Sequence, residues 1–321
     1  MDRFIATFTD VSDWNILHHF STKGTRSKEI IVDPKVQEQY FFKGSKETPE
    51  GEIRYKEEFW SEIVSSKVGQ WLGFTMLDYN IAYNEKSKQK IGCISKSMVD
   101  LNLNELKEGV NYLTGFDANY NPDSKDDQKK YTFEFICQAL KHHQLDDYIR
   151  NIVSVVVFDS IVGNSDRHQE NWGIITISAE AQKIVNDTFE QKNQIEVITL
   201  LFNWLKNKKE AELKALVEPS HRFAPIYDSG CCLGRESDDD KVNKLIKDKQ
   251  MLAAYVRKGK SEIHWQGHKI NHFELITHIK TIYPEEVNLY GGFVKQRYDQ
   301  AELKQLIYNI DQHLPEEYIM Y

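Results

Sequence analysis

The chain has 321 residues, of which 40% are hydrophobic and 28% are charged, and it contains only 7 prolines; this composition is that of a folded globular protein and excludes a disordered or fibrous one. Its formal net charge of −8 at pH 7 argues against a protein that mainly neutralises nucleic-acid phosphates, so we expect no nucleic-acid partner. The longest apolar run, residues 152–158, is far shorter than the ~20 residues needed to span a bilayer, so we expect no stable membrane insertion.

The amino-terminal residues and the cysteines indicate the cellular compartment in which we expect the protein. The start, MDRFIATFTDVSD, carries acids and has no apolar run before a small-residue cleavage site, so it does not resemble a signal peptide. The cysteines Cys93, Cys137, Cys231 and Cys232 form no CxxC pair, and the vicinal Cys231 and Cys232 cannot easily form a disulfide with each other. We therefore expect four reduced thiols in a soluble cytoplasmic protein, most simply as small buried side chains.

The first hundred residues alternate short strand-like runs with turns. Strands are predicted at residues 4–8, 29–32, 39–43, 78–83 and 90–98, and three aromatic residues make 39–43 typical of a half-buried strand. One helix interrupts them, because the apolar residues between Lys56 and Leu72 recur at helical spacing and Gly73 follows as a stop. This part is predicted to be a small sheet that carries one helix.

The rest of the chain is predicted to be mainly helical. Helices are expected at residues 132–142, 145–161, 272–283 and 300–314, a charged helical region at 179–217, and one short strand at 172–177. In residues 145–161 the apolar side chains step by three and four, so one face of this helix belongs in a core. The predicted class is therefore α+β, with a small strand-rich part followed by a larger helical part.

The sequence SDRHQEN, residues 165–171, lies between the predicted buried helix and the strand 172–177. It resembles the DRHxxN catalytic loop shared by phosphatidylinositol 3-kinase-like enzymes and HipA-like bacterial kinases. The resemblance implies that Asp166 accepts or orients the proton of the attacking hydroxyl and that Asn171 gives an amide oxygen to Mg²⁺. It also implies that His168 contacts the γ-phosphate or orients the loop. Polar residues that only cap a helix end are the alternative interpretation.

A second motif, FAPIYDSG at residues 223–230, places Asp228 after an apolar run and before Ser229 and Gly230. It resembles the metal-binding aspartate segment of kinases, and its APxYD pattern resembles that of HipA-like proteins more closely still. The resemblance implies that Asp228 chelates Mg²⁺ between the phosphates. Taken alone, an aspartate before serine and glycine is more often a simple turn.

A lysine and a glutamate in the first part have the spacing of a kinase ion pair. Lys43 ends the predicted strand QYFFK, and Glu62 lies 19 residues later on the helix that follows. In kinases such a strand lysine pairs with a helix glutamate and is held against the nucleotide phosphates. Glu57 and Glu58 are weaker candidates for the partner, and a solvated charge at a strand end is the alternative interpretation of Lys43.

Two further segments are candidates for nucleotide contacts. In STKGTRSKE, residues 21–29, small residues allow backbone N–H groups to approach a phosphate and basic residues add positive charge. The segment resembles the phosphate-contacting loop of HipA-like kinases, although a polar turn fits it equally well; its candidate residues are Thr22, Lys23, Gly24 and Thr25. Backbone atoms near Ser97 and Met98, where the linker between two lobes is expected, are candidates for contacts with adenine.

Together these motifs are typical of the HipA-like, phosphatidylinositol 3-kinase-like bacterial kinases. The resemblance implies a bilobal protein-kinase-like fold with a small β-rich lobe at residues 1–98, which covers the nucleotide, and a larger, mainly helical lobe at residues 99–321, which carries the catalytic loop and the metal-binding aspartate. It implies ATP and Mg²⁺ as cofactors, a protein substrate, and a serine/threonine kinase that also phosphorylates itself. It further implies secretion or translocation into host cells as an alternative to a purely cytoplasmic location.

Two other activities remain open at this stage. The DRHxxN loop also serves kinases of lipids and small molecules, and a pseudokinase scaffold binds nucleotide without turnover. The chain also departs from HipA, because it looks too short for the additional amino-terminal domain of that family and because residues 179–217 enlarge the separation between the catalytic loop and Asp228.

Overall fold

The computed structural model of the protein describes residues 4–17, 28–46, 48, 50–100, 104–177 and 221–318. The candidate phosphate-contacting residues Thr22, Lys23, Gly24 and Thr25 lie outside the described residues, and so does the predicted helical region 179–217.

The described residues contain a mixture of strands and helices. The strands are β1 (Phe8–Asp10), β2 (Asn15–Ile16), β3 (Lys28–Val32), β4 (Gln39–Lys43), β5 (Tyr79–Tyr83), β6 (Ile91–Lys96), β7 (Asn104–Glu108), β8 (Gly173–Ile177) and β9 (His221–Phe223). The α-helices are α1 (Glu58–Leu72), α2 (Gly109–Phe116), α3 (Phe133–His142), α4 (Ile149–Val162), α5 (Asp239–Lys247), α6 (Lys249–Lys258), α7 (His272–Ile282), α8 (Pro284–Arg297) and α9 (Gln300–Tyr308).

The strands form two sheets. The larger sheet has the order β1-β5-β6-β4-β3-β2, in which β1 and β5 are parallel and all other neighbours are antiparallel. The smaller sheet is antiparallel and has the order β7-β8-β9. In the larger sheet Lys43 is paired with Lys28 on one side and with Cys93 on the other, so the predicted lysine lies at the centre of the sheet.

Helix α1 packs against the larger sheet and carries the predicted glutamate inward. It contacts strands β5 and β6 and helices α8 and α9. It ends at Gly73, whose φ of 92° is a left-handed conformation that glycine adopts without steric cost, as the sequence predicts. Glu62 is buried on this helix beside apolar residues such as Ile63, so its carboxylate needs polar partners in the interior.

Helix α4 forms the centre of the core. Most of its residues are buried, including Ile152, Val156 and Phe158, and helices α7 and α8 pack against it. The helix ends at Gly163, which has a φ of 68°, and the chain then enters residues 164–172. The predicted catalytic loop is therefore fixed to a helix that is mostly buried.

Several boundaries differ from the predictions for identifiable reasons. The first strand is Phe8–Asp10 instead of 4–8, because the Thr7 N–H donates to the side chain of Asn80 and regular pairing starts one residue later. The strand predicted at 90–98 ends at Lys96, since the Ser97 hydroxyl bonds to the Val99 carbonyl and turns the chain. The helix predicted at 145–161 starts at Ile149 after a short 3₁₀ turn, and the last predicted helix ends at Tyr308 instead of residue 314.

The fold is α+β, with the strand-rich part carrying helix α1 and the later part mainly helical, and this confirms the predicted class. No helix within the described residues is both long and apolar enough to cross a membrane. The lobe boundary at residue 98 falls between strands β6 and β7 and stays a prediction.

Candidate active site

Three of the predicted residues meet at the end of strand β4. The Lys43 ammonium lies 3.5 Å from a Glu62 carboxylate oxygen and 3.7 Å from Oδ1 of Asp228. Lys28, on the neighbouring strand, lies 3.7 Å from the other Asp228 oxygen. The side chains of Lys43 and Glu62 are almost fully buried, so this cluster is interior and is not a set of solvated surface charges.

Tyr79, which the sequence analysis did not identify, completes this cluster. Its hydroxyl accepts a hydrogen bond from the Lys43 ammonium at 3.2 Å and another, at 3.5 Å, from the backbone N–H of Asp228. Burial, together with the nearby Glu62 carboxylate, raises the pKa of Tyr79 well above its usual range, so the hydroxyl stays neutral. Tyr79 therefore positions both Lys43 and Asp228 through hydrogen bonds without adding charge.

Close approach of strand β6 is also needed to set the position of Lys43. A Cβ atom on Gly92 would lie 2.3 Å from the Lys43 carbonyl oxygen, which is closer than atoms can pack. Only glycine fits at this point of the strand.

Asp228 is held in an unusual backbone conformation. Its φ of 55° is in the left-handed region, which aspartate tolerates better than most residues. The following N–H, that of Ser229, donates a 2.8 Å hydrogen bond to the second oxygen of Glu62. Glu62 therefore contacts both Lys43 and the segment that carries Asp228, and it links helix α1 to that segment.

The buried Arg167 connects the catalytic loop to the Asp228 segment. Its guanidinium forms a bidentate pair with Asp159 of helix α4, with N–O distances of 2.8 and 2.9 Å. It also donates to the carbonyls of Asn171 and Tyr227, at 2.7 and 2.5 Å, and to the Ser229 hydroxyl at 3.1 Å. Burial alone lowers the pKa of this arginine, but the Asp159 carboxylate more than offsets it, so the guanidinium remains charged. One side chain thus holds the segments around both predicted metal ligands.

Within the loop, Asn171 and Asp166 are connected directly. The Asn171 side-chain N–H donates to the Asp166 carbonyl at 2.7 Å, which directs the amide oxygen of Asn171 away from that carbonyl. His168 accepts a 3.3 Å hydrogen bond at Nδ1 from the Glu170 N–H. With Nδ1 engaged in this bond, Nε2 is the ring atom available to a ligand such as a phosphate.

A chain of contacts joins the Asp166 carboxylate to helix α1. The Cys231 thiol donates to Asp166 Oδ2 at 3.1 Å, and the Arg235 guanidinium lies 2.8 Å from the Cys231 sulfur. Arg235 in turn pairs with the buried Glu58 at 3.0 Å and stacks over Tyr55. Glu58, a weaker candidate for the Lys43 partner, is therefore engaged with Arg235, and Glu62 is the glutamate that contacts Lys43.

The structure places Ser97 and Met98 at the end of strand β6. The Ser97 N–H donates to the Gln39 carbonyl at 2.8 Å, and the Met98 carbonyl accepts from Arg222 at 3.0 Å. The contact of this segment with adenine stays a prediction.

The donor set fits a magnesium ion with a nucleotide. Mg²⁺ typically takes one or two carboxylates from the protein and completes its shell with phosphate oxygens and water. Asp228 offers a partly accessible carboxylate, and Asn171 offers an amide oxygen. Lys43 and Lys28 lie beside Asp228 and supply positive charge suited to phosphate oxygens.

The residues that sequence reasoning missed share one property: their role is set by tertiary contacts that no local sequence pattern reveals. Asp159 could have been noticed, because it is an acid on an otherwise apolar helix face and a buried acid requires a partner. Tyr79 and Arg235 carry no such signal, since a tyrosine in a strand and an arginine in a loop are ordinary in a sequence.

Comparison with known proteins supports the fold. No model of a protein family matches the sequence, and no curated protein is detectably similar to it in sequence. Among solved structures the chain is similar to the crystal structure of the Helicobacter pylori proinflammatory kinase CtkA, with a TM-score of 0.65. The two are 18% identical, and the match covers 94% of this chain and 87% of that one. At this identity the likeness shows a shared kinase fold, and the chemistry has to be argued from the site.

Proposed function

We propose that this protein is a kinase that transfers the γ-phosphate of ATP to serine or threonine hydroxyls of proteins, including its own. The observation that carries the proposal is the shared anchoring of two segments by Arg167, which bonds to the Asn171 carbonyl and to the carbonyl and hydroxyl on either side of Asp228. The buried Lys43–Glu62 pair beside Asp228 supports the proposal, because phosphoryl transfer needs a cation near the phosphates and a carboxylate for the metal.

Each residue has a task that follows from its position. Asp166 accepts the proton of the substrate hydroxyl as its oxygen attacks the γ-phosphorus, and ADP leaves. Lys43, kept charged and oriented by Glu62 and Tyr79, stabilises the negative charge of the phosphate oxygens. Asp228 and Asn171 would hold Mg²⁺, which neutralises charge on the phosphates when bound. His168 offers its Nε2 proton to a phosphate oxygen.

Further elements of the proposal rest on the sequence and the fold together. Residues 1–98 would cover the nucleotide, with Ser97 and Met98 beside adenine, and residues 99–321 would carry the catalytic groups. All four cysteines are buried thiols that form no disulfide, which fits a protein that works in the reducing cytoplasm. The substrate hydroxyl is assigned to proteins because no strongly basic membrane-facing surface is evident in the sequence.

The decisive experiment measures phosphate transfer from labelled ATP to casein and to the protein itself, together with ATP affinity on the same preparations. Asp166→Asn keeps the size of the side chain and removes its charge, so we expect transfer to fall by ~10² to 10⁴-fold while ATP affinity is retained. Asp147→Asn is the matched control, because Asp147 is an exposed acid on the same part of the chain, and it should transfer phosphate normally.

The possible outcomes separate the alternatives. Equal transfer by the wild type and Asp166→Asn contradicts the assignment of Asp166. Binding of ATP with Mg²⁺ without transfer by either protein points to a nucleotide-binding scaffold. Transfer to phosphoinositide vesicles but not to proteins points to a lipid kinase.

A further inference from the structure

A cavity of about 420 Å³ lies beside the catalytic loop and is not used by the reaction described above. Its walls are formed by the end of helix α4, the segment after Asp228, helix α6 and the start of helix α7; the lining includes Val162, Ser165, Leu233, Leu252, Val256 and His272. The volume falls within the range of small-ligand pockets, and mainly apolar walls with a few polar groups are typical of such sites.

The cavity is adjacent to the proposed base. Ser165 is the residue before Asp166, and its N–H bonds to the Cys231 carbonyl at 3.3 Å. The Leu233 N–H bonds to the Val162 carbonyl at 2.9 Å, which fixes the segment after Asp228 against helix α4. Ile161 and Leu233 are 39% and 50% exposed, so apolar side chains of the cavity lining also face solvent.

His272 is a polar residue of the lining without a hydrogen-bond partner among the described residues. His272 is only 2% exposed, and neither of its ring nitrogens has a hydrogen-bond partner among the described residues. Burial lowers the pKa of His272, so the imidazole is neutral and offers one donor and one acceptor. Buried polar groups are almost always paired, so the imidazole in this cavity wall is available to a bound water or to a ligand that supplies the partner.

We propose that this cavity binds the side chain of a substrate residue close to the phosphorylated serine or threonine, and that tyrosine is the residue it fits best. The proposal rests on the proposed protein-kinase function and adds its specificity. The apolar walls suit an aromatic ring, and a phenol hydroxyl can donate to or accept from one ring nitrogen of a neutral imidazole. An aliphatic side chain would leave His272 unpaired. The lining also holds Glu236 and Lys258, so the lysine and glutamate peptides of the test show whether a charged side chain is accepted instead.

The test uses a peptide library with a fixed central serine or threonine and one neighbouring position at a time set to tyrosine, phenylalanine, leucine, alanine, lysine or glutamate. For the wild type we expect tyrosine to be preferred over phenylalanine at one position by about five- to tenfold in kcat/KM, the value of one net hydrogen bond. His272→Leu should bring this ratio close to one, because the imidazole is lost while the apolar walls remain.

A second substitution, at the mouth of the cavity, tests the pocket without changing a buried residue. Leu233→Glu places a charge at the mouth of the cavity on a side chain that is half exposed, and it should lower kcat/KM for the tyrosine peptide even if His272→Leu fails to fold. Leu289→Glu is the matched control, because Leu289 is also 50% exposed but lies on helix α8, outside the cavity lining.

The outcomes distinguish failure of the tyrosine pocket from failure of the kinase function on which it rests. Transfer to casein and to peptides with no preference between tyrosine and phenylalanine, or an unchanged kcat/KM for the tyrosine peptide in Leu233→Glu, overturns the pocket and leaves the kinase function standing. Absence of any ATP-dependent transfer by the wild type overturns both.

Discussion

The Asp159–Arg167 pair should be the interaction on which both stability and nucleotide binding depend most strongly. Both side chains are at most 4% exposed, and the two carboxylate oxygens accept from the guanidinium at 2.8 and 2.9 Å. Asp159→Asn keeps the volume but removes the charge, and its amide NH₂ would face a guanidinium N–H. Breaking a buried pair by removing one charge typically costs about 3–5 kcal/mol, a large part of the ~5–15 kcal/mol that holds a domain folded.

Asp159→Asn should also disturb the proposed active site. Arg167 also donates to the Asn171 carbonyl, the Tyr227 carbonyl and the Ser229 hydroxyl, so displacement of the guanidinium releases the segments around both proposed metal ligands. We therefore expect Asp159→Asn to weaken Mg²⁺-dependent ATP binding although Asp159 is not placed in contact with nucleotide.

The assay is urea unfolding followed by circular dichroism, with ATP affinity measured by calorimetry at several Mg²⁺ concentrations. Glu105→Gln is the control, because Glu105 forms a 3.3 Å pair with Lys107 in which both side chains are about half exposed. Such a surface pair is worth about 0–1 kcal/mol. A loss of less than about 1 kcal/mol for Asp159→Asn with unchanged ATP affinity would refute the reasoning that this pair anchors the site.

Three further predictions concern single groups. Asp228→Ala should weaken ATP binding only when Mg²⁺ is present, since the proposed metal ligand is lost; equal affinity across a Mg²⁺ titration contradicts its role. Cys231→Ala should lower turnover more than Cys231→Ser, because serine preserves a donor to the Asp166 carboxylate; identical kcat values for the two variants would exclude this contact. The pKa of buried His272 is lowered, so below about pH 6.5 the unfolded state binds a proton that the folded state does not, and stability falls as pH drops. Between about pH 7.5 and 5.5 the wild type should lose about 1 kcal/mol more free energy of unfolding than His272→Leu. Equal losses in both proteins would show that His272 is not kept neutral.

The elements that the sequence predicted well are those with a strong local pattern. Strand β4 was predicted with its observed bounds, and helix α1 was predicted to within two residues, because their apolar spacing and the Gly73 stop are local. Strand β7 and helices α2, α5, α6 and α8 were not predicted. Strand β7 is mostly polar, and helix α6 buries none of its residues, so neither has the apolar periodicity that identifies an element in a sequence.

The sequence by itself determined which chemistry is available: an aspartate and an asparagine in a loop with the DRHxxN pattern, a second aspartate before Ser229, and a lysine and a glutamate at kinase spacing. Only the tertiary structure decided that Glu62, and not Glu58, contacts Lys43, and that Asp159, Tyr79 and Cys231 support the proposed site. The reason is physical. A local pattern reports the periodicity of one element, whereas a buried charge is stabilised by whichever partners the fold brings within hydrogen-bond distance, and those partners here are up to 167 residues away in the chain.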